Sequence, residues 1–294
     1  MMHKDEIKAD AALVRRLVAT QFPQWAGLDV TPVEQAGTDH LLFRLGDELV
    51  ARMPRIESAT DQATNDERWL PVLAPHLPLP VPAPVAVGAP GEWYPWKWSV
   101  APWLSGENPT AGNLDYEQAA VDLGTFVRAL HTVDTTGGPV KTGMTRGVPL
   151  AARDEWTRES IAELGSRVDT ARVTAAWDDA LAATPWDKPP VWIHGDIQAG
   201  NLLAENGRLS AVIDFGGLGL GDPAPDLAPG WSMFDARTRQ VFREASGYDE
   251  DTWRRGRGWA LSTALVGLPY YWDSNPAFIA EGQAKVAAVL EDFA

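Results

Sequence analysis

The chain has 294 residues, 40 acidic against 25 basic side chains, a formal net charge of −15 and no cysteine. Disulfides, thiolate metal sites and cysteine nucleophiles are thereby excluded, and the net charge repels phosphate backbones and anionic bilayers, so neither nucleic acid nor a membrane is an expected partner. No apolar run approaches the ~20 residues of a membrane helix, and the charged N-terminus lacks the apolar stretch of a secretory signal, so a cytoplasmic protein is expected.

The length allows two lobes sharing a cleft. Asp10 is placed to cap a helix reaching about Gln21, with Leu13, Val14, Leu17 and Val18 on one face. Strand-like runs follow at 28–34, 41–45 and 48–53, the last two joined as a hairpin across Gly46-Asp47, with a turn at Gly37-Thr38-Asp39 before them. Residues 61–73 read as a helix in which Asp66 and Glu67 point about 100° apart. The proline-dense segment 75–95 cannot be helical and is expected as extended chain. Residues 96–104, rich in Trp and Val, read as a further strand.

From Asp115 the pattern turns helical. Asp115 with Gln118 makes a capping box, and Ala119, Ala120, Leu123, Phe126, Val127 and Leu130 form an apolar stripe ending at His131, which reads as structural. A Gly/Thr-rich loop over 135–149 precedes two more helices at 151–167 and 173–183, the first carrying Asp154, Glu155 and Glu159. Residues 191–193 are a short buried strand; 202–203 and 210–213 form a ribbon turned by Glu205-Asn206-Gly207. The remainder from Trp231 reads as helix with breaks at Gly247, Gly256 and Gly258 and around Pro269 and Pro276. It holds aromatic side chains, Trp231, Phe234, Trp253, Trp259 and Tyr270-Tyr271-Trp272 among them, and the carboxylates Asp235, Asp273 and Glu281.

The chemistry concentrates between Val191 and Asp226. Asp196, Asn201 five residues later and Asp214 after the next apolar strand have the spacing of a kinase catalytic loop followed by an Asp-Phe-Gly metal ligand. Phosphoryl transfer needs a carboxylate to take the acceptor hydroxyl's proton, and hard oxygen ligands to hold Mg²⁺ against a triphosphate. Asp196 suits the first task; Asn201 and Asp214 suit the second.

His194-Gly195-Asp196-Ile197 to Asn201, then Val212-Ile213-Asp214-Phe215, then Gly221-Asp222-Pro223-Ala224 and Asp226-Leu227-Ala228 resemble the aminoglycoside phosphotransferase family, relatives of protein kinases and choline kinases. The resemblance covers most of the chain and thins in the C-terminal third. It implies an α+β, protein-kinase-like two-lobe fold, with a mostly antiparallel sheet lobe over 1–104 that binds nucleotide and a larger helical lobe over 105–294 that holds the catalytic and substrate-binding groups. It further implies that Arg52, standing where kinases carry Lys, aligns the phosphates and is held by Glu67, with Asp66 the neighbouring alternative. Thr38 would lie in the turn over the phosphates, the backbone of Ser99 to Ala101 would face the adenine edge, and His194 and Asp226 would brace the catalytic loop. Asp222 would brace it too, or cap the turn before Pro223. Asp154, Glu155, Trp231 and Asp235 are the expected substrate contacts.

The implied reaction moves the γ-phosphate of ATP or GTP, with Mg²⁺, to a hydroxyl of a small polar molecule, in a monomer or homodimer. An aminoglycoside suits the acidic charge of the chain, which would draw in a cation. A metabolic acceptor (amino alcohol, sugar or amino acid) is the alternative within this chemistry. A nucleotide-binding inactive module and a metal-dependent hydrolase are the alternatives outside it; the hydrolase leaves Asn201 unexplained.

Overall fold

Four apolar residues at helical spacing seed the first core. In the computed structural model, which describes residues 6–33 and 39–293, they lie on helix α1 (Ala11–Gln21), started by Asp10, whose carboxylate accepts the Leu13 amide at 2.8 Å. The chain divides into two compact units. The first takes in residues up to Pro75, together with Pro80–Ser105 and Ala211–Gly216. Its sheet has the strands β1 (Val30–Pro32), β2 (His40–Leu45), β3 (Leu49–Pro54), β4 (Ala86–Gly88) and β5 (Trp98–Pro102), in the order β1-β2-β3-β5-β4 and antiparallel throughout. Phe43, Leu45, Ala51, Met53, Trp98 and Val100 form one buried cluster with Leu13, Val14, Leu17 and Val18. Helix α2 (Thr60–Leu73) follows β3. The six residues Ala211–Gly216 join this unit through the chain itself and through the Val212 amide, which donates to the Pro80 carbonyl at 3.0 Å.

The second unit is helical. It contains α3 (Tyr116–Leu130), α4 (Asp154–Leu164), α5 (Thr170–Ala182), α6 (Pro229–Ser232), α7 (Ala236–Ser246), α8 (Glu250–Tyr271) and α9 (Pro276–Phe293). Short strands interrupt them: β6 (Val191–Ile193), β7 (Leu202–Glu205), β8 (Arg208–Val212), which leads the chain back into the first unit, and β9 (Gly219–Gly221). The β7–β8 turn places Asn206 at φ 53° and Gly207 at φ 81°, the left-handed pair that a two-residue hairpin requires. Strand β9 has no sequence signature; two of its three residues are glycine, and it exists because β6 pairs with it antiparallel. Asp115 caps α3 by accepting from the amides of Glu117 and Gln118, but the Gln118 side chain donates to Asp122, so only half of the expected capping box forms. Among the described residues, no helix is long and apolar enough to cross a membrane.

The expected helix breaks need one correction. Gly247 does end a helix, in the left-handed conformation at φ 74°. Gly256, Gly258 and Pro269 instead lie inside the 22-residue α8. The two glycines are there for contact. A Cβ on Gly256 would lie 2.8 Å from Leu227 Cβ, and one on Gly258 would lie 2.6 Å from Leu150 Cδ2 and 2.7 Å from Ala180 Cβ. Pro276 opens α9, where a missing amide and a fixed φ disturb little, while Pro269 lies within the last turn of α8, where it forgoes one helix hydrogen bond.

Gly258→Ala tests this packing. Helix propensity favours alanine by about 1 kcal/mol, whereas overpacking against a backbone-fixed Ala180 disfavours it by roughly 1–3 kcal/mol. Net destabilisation is expected, read as a lower denaturant midpoint; a stabilised variant would mean that α8 has room to shift.

Candidate active site

Strand β6 delivers His194, Gly195 and Asp196 into a loop shaped by one buried carboxylate. Asp226 is fully buried; its Oδ2 accepts the His194 amide at 2.8 Å and its Oδ1 the Gly195 amide at 2.7 Å. His131 Nε2 lies 3.1 Å from the same Oδ2, and its Nδ1 lies 2.7 Å from the Tyr248 hydroxyl. Burial alone pushes the Asp226 carboxyl up. The His131 hydrogen bond and charge, with His194 and the Gly195 amide, outweigh burial and hold it below the ordinary carboxylate range. Gly195 has φ 79°, and a Cβ there would meet the Gly217 carbonyl at 2.8 Å, so both conformation and space demand glycine. His194 Nδ1 accepts the Asp196 amide at 3.1 Å, which fixes the next peptide.

Asn201 is buried at the end of a 3₁₀ turn, and its Nδ2 donates to the Asp196 carbonyl at 2.8 Å. Asn108 ties the same turn from outside, its Nδ2 lying 3.3, 3.0 and 2.9 Å from the carbonyls of Ala199, Gly200 and Leu202. Sequence reading passes over Asn108, because a lone Asn in a loop carries no signal of a distant partner.

Arg146, from the Gly/Thr-rich loop, reaches Asp196. Its Nη1 lies 2.5 Å from Asp196 Oδ1 and donates to the Gly195 carbonyl at 3.1 Å. The loop approaches so closely because Gly147 follows, at φ 97°, where a Cβ would lie 2.4 Å from Ile193 Cδ1. Asp196 and Arg146 line a cavity of about 320 Å³ whose wall includes Trp259 of α8 and Phe278, Glu281 and Lys285 of α9. Burial lowers the Lys285 ammonium pKa, opposed first by Glu281.

In the first unit, Arg52 on β3 pairs with Asp66, Nη1 to Oδ2 at 2.9 Å, both nearly buried. This corrects the assignment of Glu67, which instead lies 3.7 Å from Lys97 with both side chains largely exposed. The reason is helical phase. Asp66 shares the buried stripe of α2 with Ala63, Leu70 and Leu73, while Glu67 lies about 100° away. That stripe was the available signal. Asp214 has φ 61°, and its Oδ1 accepts Gln62 Nε2 at 3.1 Å and the Gly216 amide at 3.4 Å. Buried His40 is pushed down to about 3 by burial and by Arg52, and is therefore neutral at physiological pH.

Thr38 lies outside the described residues. Ser99 and Ala101 are buried in β5, opposite Arg52 and Val50, and β5 has a neighbour on each edge. Their peptide groups belong to the sheet's own ladder, so they are withdrawn as base contacts. The four expected substrate contacts do not line the cavity beside Asp196. Asp154 Oδ1 accepts from Trp177 Nε1 and Arg158 Nε, both at 2.7 Å, which makes it a link between α4 and α5; Glu155 is exposed on α4. Trp231 is buried against Trp253, ring centres 4.5 Å apart, and donates to Asp292 at 3.1 Å. Asp235 caps α7 by accepting the Thr238 amide at 2.8 Å. Asp222 does two jobs, accepting the Ala224 amide at 3.0 Å and pairing with buried Arg255 at 2.8 Å.

Asp226→Asn keeps the shape but removes the charge that three donors converge on, and is expected to destabilise the protein by roughly 3 kcal/mol at neutral pH. Because the folded pKa is depressed, this stabilisation is complete above the unfolded value near ~3.9 and is lost as pH falls through the folded value. Denaturation of both proteins across that window should show the gap closing with acid. A gap constant down to strongly acid pH would rule out the charge as its source.

Comparison with known proteins agrees with this architecture. A family profile described as "Phosphotransferase enzyme family" (APH) matches residues 29–259. No curated protein sequence matches the chain. Among solved structures, the GDP complex of aminoglycoside 2'-phosphotransferase-IIIa superposes with a TM-score of 0.72 at 18% identity, over 97% of this chain and 100% of that one. ADP-bound aminoglycoside phosphotransferase APH(2'')-Ib gives a TM-score of 0.63 at 16% identity, over 97% and 99%. The apoenzyme of macrolide 2'-phosphotransferase MphH from Brachybacterium faecium gives 0.62 at 25% identity, over 95% and 97%. The match over most of its length, on an antiparallel-sheet unit followed by a helical one, shows that the chain belongs to the phosphotransferase enzyme family and has its kinase-like fold.

Proposed function

We propose that the protein transfers the γ-phosphate of ATP or GTP to a hydroxyl of a small polar molecule, with Asp196 as the base. The observation that carries this is Asp196 itself: a carboxylate on a loop fixed from below by Asp226, from one side by His194 and Asn201, and facing a cavity large enough for a small acceptor. The acceptor oxygen bonds to the γ-phosphorus as the bond from that phosphorus to the β,γ-bridging oxygen breaks. The hydroxyl proton passes to Asp196, and the nucleoside diphosphate leaves with the bridging oxygen. Catalysis of this kind is positioning plus charge stabilisation, which is why a rigid loop matters.

Donor chemistry fits magnesium. Asn201 spends its amide nitrogen on the Asp196 carbonyl, which leaves Oδ1 as its remaining acceptor. Asp214 accepts from neutral donors and has no ion-pair partner among the described residues. No group of three or more His, Cys, Asp or Glu among the described residues could hold a metal. One carboxylate and one amide oxygen, completed by phosphates and water, are what Mg²⁺ ordinarily takes, whereas a metal hydrolase needs a fuller protein cage. When bound, the ion would neutralise charge gathering on the phosphate oxygens. Arg52, held by Asp66, is assigned to the nucleotide phosphates. For the acceptor, the overall charge and the structural relatives favour an aminoglycoside-like antibiotic, with an amino alcohol, sugar or amino acid as the metabolic rival; growth of an expressing host on aminoglycosides and macrolides separates the two.

Asp196→Ala should lower transfer by roughly 10²–10⁴-fold, the usual worth of a positioned base, while nucleotide affinity stays near wild type. Parallel loss of both would sink the role assigned to Asp196. Asp66→Ala should raise the KM for nucleotide by about tenfold or more, as expected when a buried charged hydrogen bond is lost, and Glu67→Ala should leave it unchanged. The reverse ranking would restore Glu67.

A further inference from the structure

The wall of the cavity beside Asp196 carries three donor side chains, Lys285, Trp259 and Arg146. Lys285 is half-buried on its wall, and among the described residues no carboxylate lies within ion-pairing distance of the ammonium. Trp259 is fully buried on the same wall, and its Nε1 has no hydrogen-bond partner among the described residues. Arg146 completes the set, resting on Asp196 itself. Against these, the only carboxylates on the wall are Asp196 and Glu281. A buried indole N–H is unfavourable unless something accepts from it, and among the described residues nothing does; a half-buried ammonium gains from an anionic partner. Burial depresses the Lys285 pKa, with Arg146 acting in the same sense, while Glu281 and Asp196 oppose the shift.

We propose that the acceptor is a hydroxy acid, whose carboxylate is bound by Lys285 and Arg146 while its hydroxyl is presented to Asp196. The inference rests on the phosphotransferase reading and, on the evidence of the cavity wall, replaces the aminoglycoside-like acceptor that net charge and the relatives favour with the acid branch of its metabolic rival. Arg146 makes the recognition specific. In the free protein its guanidinium pairs with the base, both side chains partly exposed, and such a pair exchanges readily. An incoming carboxylate takes the place of Asp196 on Arg146, which frees the base to accept the hydroxyl proton at the moment the acceptor arrives. The γ-phosphorus then gains the acceptor oxygen and loses the bridging oxygen, as above. An ammonium could exchange only onto Asp196, which would occupy the base, and a polyamine brings like charges towards Lys285 and Arg146. Glu281 accommodates a single amino group, so a hydroxy amino acid remains within the class.

The test is label transfer from γ-labelled Mg·ATP and Mg·GTP to three matched sets: hydroxy acids (glycerate, gluconate, serine), their neutral amides, and amines (ethanolamine, glucosamine, kanamycin). Nucleotide binding is measured in parallel. At least one hydroxy acid should exceed its amide and the amines in kcat/KM by about tenfold or more, the worth of a charged hydrogen bond. Lys285→Met should raise the KM for that acid about tenfold with a smaller change in kcat, Lys285→Arg should restore it, and Lys285→Glu should shift preference towards amines. Preference for amides or amines, or bound nucleotide with no transfer to any hydroxy acid, overturns this inference and leaves the phosphotransferase reading standing. Absence of nucleotide binding by wild type defeats that reading first. If Lys285→Met and Lys285→Arg lose the acid equally, the contact is not one of charge and the assignment fails.

Discussion

A fully buried carboxylate is tolerable only when enough donors converge on it, and that constraint organises the catalytic loop. Asp226 takes the His194 and Gly195 amides and faces His131, whose other nitrogen is engaged by Tyr248. Two donors come from the loop and one from the end of α3, and Tyr248 after α7 is tied in through His131, so three stretches of chain are held to one point. Removing the charge would release them together, because the remaining partners would be left buried and unmatched. Gly195 is the backbone side of the same bargain: a side chain there would collide with Gly217 and push the two amides off the carboxylate.

Local and global electrostatics differ: the chain as a whole is strongly acidic, whereas the cavity wall carries charges of both signs. The whole chain carries a formal charge of −15, which suggests a cationic ligand when read as a single number. At physiological ionic strength charges are screened beyond about 8 Å, so a ligand in the cavity responds chiefly to the groups on its wall. Those groups include Arg146 and Lys285 as well as Asp196 and Glu281. Net charge governs solubility and approach; the wall governs what stays.

What could be read from the sequence was what is local in it. Asp196, Asn201 and Asp214 could be proposed from their spacing along one loop and one strand, and the antiparallel sheet follows from alternating apolar runs and a Gly46 turn. Long-range partners were not legible. Arg146 reaches Asp196 from a loop, and Lys285 does so from the last helix, where a lysine reads as an ordinary solvated charge. Trp231 and Asp235 were favoured for standing just after the Asp226 block, but nearness in sequence placed them in a core and a helix cap. Glycine was misread in α8 for a related reason: a sequence shows its low helix propensity, and only the neighbours Leu227, Leu150 and Ala180 show why nothing larger fits.

The two ends of the Asp196 loop are secured with different firmness, and the difference has a physical purpose. Beneath, the contacts are buried and charge-assisted, so the backbone that aims the base cannot drift without a large loss. Above, the carboxylate meets Arg146 across a partly exposed pair, worth on the order of 0–1 kcal/mol net. The role proposed for Asp196, a base fixed in place yet open to each new acceptor, would require that asymmetry. A buried pair with Arg146 would hold Asp196 ionised but closed, while no partner at all would leave its rotamer unset. A weak, exchangeable ion pair over a rigid floor sets the geometry and still yields to a ligand.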